Sequence, residues 1–286
     1  TSELALFEQA RPEIEASGAR LFGISVDSIA SHEAFARAQK LGFALLSDSH
    51  PRGAVSQAFR SYNQDHGYSS RALFLIDGQG RIVWSQMSPD GVNPGVDGVL
   101  RALSDMGAGT GQAHATRDDF HARGPAGAAV TLTEYGDYQC PYCGQAYHEL
   151  KKVFAHFGDR LRFEFRNFPL ANIHPFAELA AEVAEAAGAQ DKFWPMHDAI
   201  YENQAALSED MLVELARELG LDVDRLVVEV NAHDYRARIR TDLSEGLRAG
   251  VNGTPSFFIN GRLHQASFDA RTLIRAIEEA GQDTGQ

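Results

Sequence analysis

A chain of 286 residues exceeds one typical domain and favours two cores over one. Hydrophobic residues at 44% and charged residues at 23% are ordinary for a globular protein, and no apolar run is long enough to span a bilayer, so the sequence reads as soluble and cytoplasmic, with no membrane partner. A formal net charge of −13 without a clustered Lys/Arg stripe argues against nucleic acid as a partner, because a phosphate backbone demands concentrated positive charge.

Residues 1–104 alternate between helical and strand spacing, which predicts an α/β domain. Leu4, Phe7 and Ile14, with Ala5 and Ala10, share one face of a helix over about 3–16, and 21–26 reads as a buried strand. Residues 31–41 read as helix, 43–46 as extended chain, 55–59 as a short helix and 72–76 as an apolar strand. The turn Asp77-Gly78-Gln79-Gly80 then leads into Ile82-Val83-Trp84, a hairpin signal. Such alternation predicts a sheet covered by helices.

Over 105–123 the composition shifts to Gly, Ala, Asp and Arg, with Gly107, Gly109 and Gly111 close together, which reads as a linker. A phosphate-cradling loop would need a strand before it and a helix after it, and neither pattern is present. A second domain, 124–286, follows. Residues 130–135 form a strand pattern that leads into Cys140-Pro141-Tyr142-Cys143 and a helical pattern over 145–157. A strand over 161–165, a long helical region over about 175–248, two strands at 256–259 and 262–265 about Asn260-Gly261, and a helix over 270–280 complete it.

Cys140 and Cys143 are the only cysteines, which excludes a scaffold stapled by several disulfides and leaves redox or metal chemistry. At the start of a helix, exposed N–H groups stabilise a thiolate, so Cys140 is the expected nucleophile, with an acidity in the range of about 3.5 to 7 known for such motifs. Pro141 falls where its missing N–H costs nothing, Tyr142 completes the spacer, and Cys143, one turn on, is placed to resolve a mixed disulfide. Zinc would need a second ligand pair; His148 and His156 follow on the same helical stretch, but helical histidines near such a motif are more often surface or core-edge residues, and no second Cys pair exists. No metal and no dissociable cofactor is therefore expected, only a redox-active Cys140–Cys143 disulfide. Gly253-Thr254-Pro255, just before the strand at 256–259, is on its own an ordinary turn.

Taken together, the strand, Cys-Pro-Tyr-Cys, the helix, Phe165-Arg166-Asn167-Phe168-Pro169-Leu170, a helical insertion with His174-Pro175 and Phe193-Trp194, and Gly-Thr-Pro-Ser-Phe-Phe-Ile-Asn-Gly resemble the DsbA-like thioredoxin family over 124–281. The resemblance implies a cis Pro255 opposite the dithiol, with the Thr254 backbone free to pair with an extended substrate. It also implies that Glu134, six residues before Cys140, is a buried acid relaying protons to the thiols; an exposed strand glutamate is the alternative.

Residues 1–104 resemble peroxiredoxins of the alkyl hydroperoxide reductase/thiol-specific antioxidant type, through Arg71-Ala72-Leu73-Phe74-Leu75-Ile76-Asp77, Gly23-Ile24-Ser25-Val26-Asp27, Leu46-Ser47-Asp48 and the Thr-x-Glu-like Thr1-Ser2-Glu3. That resemblance implies that Arg71 steadies a peroxidatic thiolate and that Glu3 lies just after its cysteine. The cysteine and the central strand before it are not in the sequence, so the domain reads as N-terminally truncated, or as a degenerate scaffold, and no peroxidase activity is expected of the chain as given. The expected fold class is α/β, two thioredoxin-fold domains, the first a truncated peroxiredoxin-like sheet and the second DsbA-like with a helical insertion. The expected function is thiol–disulfide exchange that reduces a fused peroxiredoxin domain in cis, or the disulfides of proteins or low-molecular-weight thiols; the competing reading is a non-catalytic redox sensor or scaffold.

Overall fold

The computed structural model describes residues 2–88, 94–106 and 121–283. The chain divides into two compact units, one of residues 1–113 with 247–252 and one of 114–246 with 253–286.

In the first unit, α1 (Ser2–Ala16) buries Leu6, Phe7, Ala10 and Ile14, spacing that keeps one apolar face inward. Strand β1 (Phe22–Ser25) runs parallel to β2 (Ala44–Ser47), joined through α2 (Ile29–Ala38), whose N-cap Ser28 accepts the Ser31 amide. A short α3 (Ala54–Ala58) leads to a small hairpin of β3 (Tyr62–Asn63) and β4 (Tyr68–Ser69). Strands β5 (Ala72–Ile76) and β6 (Ile82–Met87) pair antiparallel about a turn held by Asp77 Oδ1, which accepts the amides of Gln79 and Arg81. Helix α4 (Asp97–Met106) closes the unit and buries Leu100 and Leu103. The sequence gives little notice of α4, because Gly95 and Gly98 read as turn residues, nor of the two-residue strands β3 and β4. The pairs β1–β2 and β5–β6 are separate sheets, and between them lies a cavity of about 570 Å³ lined by Phe22, Ile24, Leu46, Phe74 and Ile76.

The second unit is built on one five-stranded sheet. Its strands are β7 (His121–Arg123), β8 (Val130–Gly136), β9 (Leu161–Asn167), β10 (Ser256–Ile259) and β11 (Arg262–His264), in the order β11-β10-β8-β9-β7. Only β8 and β9 run parallel, and α5 (Pro141–Phe157) makes their crossover. In α5, Cys143, Ala146, Tyr147, Leu150, Val153 and Phe157 recur at helical spacing and are all buried. Five helices, α6 (Ala177–Gly188), α7 (Phe193–Glu202), α8 (Glu209–Glu218), α9 (Val223–Ala232) and α10 (Arg236–Ala249), form the insertion between β9 and β10, and α11 (Ala270–Asp283) ends the described chain with Leu273 and Ile277 buried.

Two ends of the expected linker are corrected. Asp105 and Met106 belong to α4, and His121–Arg123 is a strand that pairs antiparallel with β9. The reason for the second is packing that composition does not reveal: Trp194 Nε1 donates to the Ala122 carbonyl at 3.2 Å, and the Arg123 guanidinium lies over the rings of Phe154, Phe163 and Trp194. The remainder of that segment, 107–120, lies outside the described residues. No helix among the described residues is long and apolar enough to cross a membrane.

Candidate active site

Cys140 is the N-cap of α5, in extended backbone (φ −70, ψ 120), and Pro141 follows at the first helical position. The helix therefore starts four residues earlier than its apolar spacing suggests, because proline's fixed φ suits the first turn. Cys143, one turn on, is completely buried, whereas Tyr142 between them is 61% exposed. Across the sheet, the Thr254–Pro255 peptide is cis, and the Cys140 thiol donates to the Thr254 carbonyl at 3.2 Å. Thr254 Oγ1 is buried and has no hydrogen-bond partner.

The two thiols are driven apart in acidity. A hydrogen bond from Cys143 pulls Cys140 down to about 6; burial opposes this, and the backbone amides of Cys143 and Tyr142 add to it. At pH 7 a thiol of that acidity is thiolate by about ten to one. Burial instead pushes Cys143 well above its ordinary value, and the neighbouring Cys140, Glu134 and Asp137 push it the same way. One thiol is thus ready to attack while the other holds its proton until something removes it.

Glu134 sits on β8, the strand that leads into the dithiol, between Phe257 of β10 and Phe165 of β9 in register. It is buried, and its Oε1 has no hydrogen-bond partner. Burial raises its pKa to about 8; the attraction of Arg123 is too weak to reverse this, and Cys140 adds to the rise. A carboxyl that changes charge near neutral pH beside a dithiol is suited to move protons.

The turn between β8 and α5 is held by residues that spacing alone does not single out. The Asp137 carboxylate is completely buried and accepts three N–H groups: Gln139 N on Oδ1 at 2.7 Å, and Leu170 N at 2.8 Å and His174 Nδ1 at 2.7 Å on Oδ2. Its backbone carbonyl accepts the Cys140 amide at 3.1 Å, and its own amide donates to Cys143 Sγ at 3.4 Å. From the insertion, Gln204 Nε2 donates to the carbonyls of Tyr138 and Cys140, at 2.9 Å each. Gly144 makes room for that amide, since a Cβ there would lie 2.2 Å from Gln204 Oε1. Below the turn His197 is buried among aromatic rings, hydrogen-bonded through Nδ1 to Tyr138 at 3.1 Å, and burial drives its pKa well below the ordinary value, so it is neutral. The pattern of sequence could mark His174 as part of the insertion, but nothing in it marks Asp137 or Gln204, whose partners lie 33 to 66 residues away.

In the first unit, Arg71 Nε lies 3.8 Å from Glu3 Oε2, a partly exposed pair. Burial raises the Glu3 pKa, against the pull of Arg71. No three His, Cys, Asp or Glu side chains among the described residues are grouped so as to hold a metal ion.

A family model described as Thioredoxin matches residues 116–279, more than half of the chain. The chain belongs to the thioredoxin family. A second model, of the AhpC/TSA family, matches residues 1–85 of this thioredoxin-family chain, so both resemblances read from the sequence hold. Among curated proteins the chain is 41% identical over 163 residues to the Na(+)/H(+) antiporter NhaA 1 of Salinispora arenicola, covering 57% of this chain and 25% of that protein. It is 39% identical over 164 residues to the Na(+)/H(+) antiporter NhaA of Herminiimonas arsenicoxydans, covering 57% and 26%. The chain thus spans about a quarter of the length of the curated relatives it matches. Among solved structures it is similar to oxidised BdbD from Bacillus subtilis, with 22% identity, a TM-score of 0.53, and coverage of 57% of this chain and 93% of that one. A thioredoxin-like oxidoreductase from Silicibacter pomeroyi gives 28% identity, a TM-score of 0.51, and coverage of 58% and 94%. The thiol-disulfide exchange protein alpha-DsbA2 from Wolbachia pipientis gives 21%, 0.50, and coverage of 56% and 86%. The chain is therefore α/β, a thioredoxin-family domain of DsbA-like fold joined to an AhpC/TSA-like, peroxiredoxin-type domain.

Proposed function

We propose that this protein is a thiol–disulfide oxidoreductase working through Cys140 and Cys143, and that it reduces disulfides. The observation that carries the reading is the placement of the two thiols in one helical turn, Cys140 at the N-cap of α5 against the Thr254 carbonyl before the cis Pro255 and Cys143 buried behind it, a placement that sets their acidities apart. In the reducing direction the Cys140 thiolate attacks one sulfur of a substrate disulfide, forming a mixed disulfide and expelling one substrate thiolate. Glu134 in its ionised form, the minor one at neutral pH, then takes the proton of Cys143, and Cys143 attacks Cys140 Sγ. That breaks the mixed disulfide, expels the second substrate thiolate and leaves Cys140–Cys143 oxidised. Two electrons pass to the substrate, whose two sulfurs take up two protons, one of them from Glu134. Thr254 and the cis Pro255 lie against Cys140, where an extended substrate would pair with the Thr254 backbone.

The AhpC/TSA match over 1–85 favours the reducing direction and an in-cis substrate. Residues 1–104 contain no cysteine, so none of them can resolve an oxidised peroxidatic thiol, and a dithiol elsewhere on the chain is suited to reduce it. A flexible tether gives effective concentrations on the order of millimolar, which favours a dithiol on the same chain. Disulfides of other proteins and of low-molecular-weight thiols are the substrates in trans. We place this reaction in the cytoplasm, where thiols are kept reduced.

The test is turnover with insulin or glutathione disulfide. Cys140→Ser is expected to abolish exchange, and Cys143→Ser to accumulate a mixed disulfide with substrate, visible on a non-reducing gel. Stoichiometric oxidation without turnover in the unmodified protein would overturn the enzymatic reading in favour of a sensor. If a longer form carrying a peroxidatic cysteine turned over peroxide at the same rate with and without Cys140, reduction in cis would fail.

A further inference from the structure

One titratable pair at the dithiol turn has no part in the exchange steps above. His174, in the segment between β9 and α6, is partly buried, and its Nδ1 donates to Asp137 Oδ2 at 2.7 Å. Asp137 is completely buried and accepts two further hydrogen bonds, from Gln139 N of the turn and from Leu170 N after β9. The same residue holds both cysteines through its backbone, taking the Cys140 amide on its carbonyl and pointing its amide at Cys143 Sγ. A buried carboxylate with an imidazole on it keeps that imidazole protonated more readily, and Cys140 is among the charges that act on it.

We propose that His174 is a positioning residue of the dithiol: seated on the buried Asp137 carboxylate, its imidazolium stabilises the Cys140 thiolate and so sets the redox potential of the Cys140–Cys143 couple. The inference rests on the exchange reading above. The charged groups around this pair are few. Asp137 and Cys140 act on His174, and Glu134, from β8, acts on Cys140 with opposite sign. Burial alone would lower the His174 pKa, yet it is raised, because the hydrogen bond to Asp137 and the charges of Asp137 and Cys140 outweigh burial. The dithiol form gains from this cation and the disulfide form does not, because only the former carries a thiolate. His174 therefore makes the couple more oxidising than its motif alone would.

The coupling is reciprocal and can be read from either side. In the unmodified protein, NMR titration of the His174 imidazole is expected to give a higher pKa in the dithiol form than in the disulfide form; equal values overturn the proposal. From the other side, thiolate absorbance near 240 nm follows Cys140 in His174→Asn, which keeps an N–H for Asp137 but carries no charge, and in His174→Ala, which keeps neither. Both variants are expected to raise the midpoint by about one pH unit, a tenfold change in proton affinity, and to make the couple about 30 mV more reducing against glutathione, which is that tenfold change for two electrons. If His174→Asn titrates like the unmodified protein while His174→Ala does not, the role is structural and the proposal falls. Should either variant fail to fold by circular dichroism, the NMR comparison decides alone. None of these readouts uses substrate turnover, so a failure of the exchange reading, seen as undiminished turnover in Cys140→Ser, is distinguishable from a failure here.

Discussion

Glu134 is the residue where stability and chemistry are most directly opposed. Its pKa stands at about 8 against an ordinary 4.5, so the folded chain keeps a proton that the unfolded chain loses between those values. The contribution of this carboxyl to stability is complete below about 4.5 and is lost as pH rises through about 8, a difference of about 4–5 kcal/mol at most. Cys140, drawn down to about 6, has the opposite slope: its contribution is present above its unfolded value and lost as pH falls through 6. The clean measurement is therefore made on the disulfide form, where Cys140 does not titrate. There Glu134→Gln is expected to gain stability over the unmodified protein steadily from pH 5 to pH 8, by guanidinium denaturation at each pH, and to slow exchange at pH 7 by ten-fold or more. A difference that does not change with pH would mean that the carboxyl is not held neutral. At this scale the sequence was legible where chemistry is encoded in neighbouring positions, as in Cys140 and Cys143. Glu134 was reachable only through family resemblance, because strand alternation does not say which face is dry.

At the scale of elements, the amino-terminal turn of α5 is locked by the insertion. Gln204 donates to the carbonyls of Tyr138 and Cys140, and Gly144 leaves the space its amide occupies. Gly144→Ala would add helix propensity worth roughly 1 kcal/mol and remove Gln204 from its two acceptors at a similar cost, so its net effect on stability should be small. Gln204→Ala should cost about 1–2 kcal/mol. Because the glycine change already displaces the amide, the double variant is expected to be more stable than the sum of the two, by about 1 kcal/mol in a double-mutant cycle; additivity would show that the two residues do not share the turn. Most elements were legible from periodicity: α1, β5, β8 and β10 fall within a residue or two of where apolar spacing puts them. The failures have a common cause. Strand β7 is three residues long and depends on Arg123 lying over aromatic rings from α5, β9 and α7, a stabilisation that comes from distant chain and leaves no periodic trace. Asp137 likewise acquires its meaning only when Leu170 and His174 fold back onto it.

For the molecule as a whole, the cavity of the first unit bears on its behaviour in solution. The pairs β1–β2 and β5–β6 each leave backbone edges without a ladder partner among the described residues, and Phe22, Ile24, Leu46 and Ile76 beside them are 44–47% exposed. Apolar side chains next to free strand edges invite strand addition from another molecule. The net charge of −13 opposes this by repulsion, and repulsion is what salt removes: the screening length falls from about 10 Å at 0.1 M to about 3 Å at 1 M. The scattering mass of this chain should therefore grow as sodium chloride is raised, contrary to what is seen for proteins joined by ion pairs. Ile24→Lys, which places a charge on the exposed edge, is expected to hold it monomeric throughout. The colloidal state of the protein would then report on one strand of the domain that carries no thiol at all.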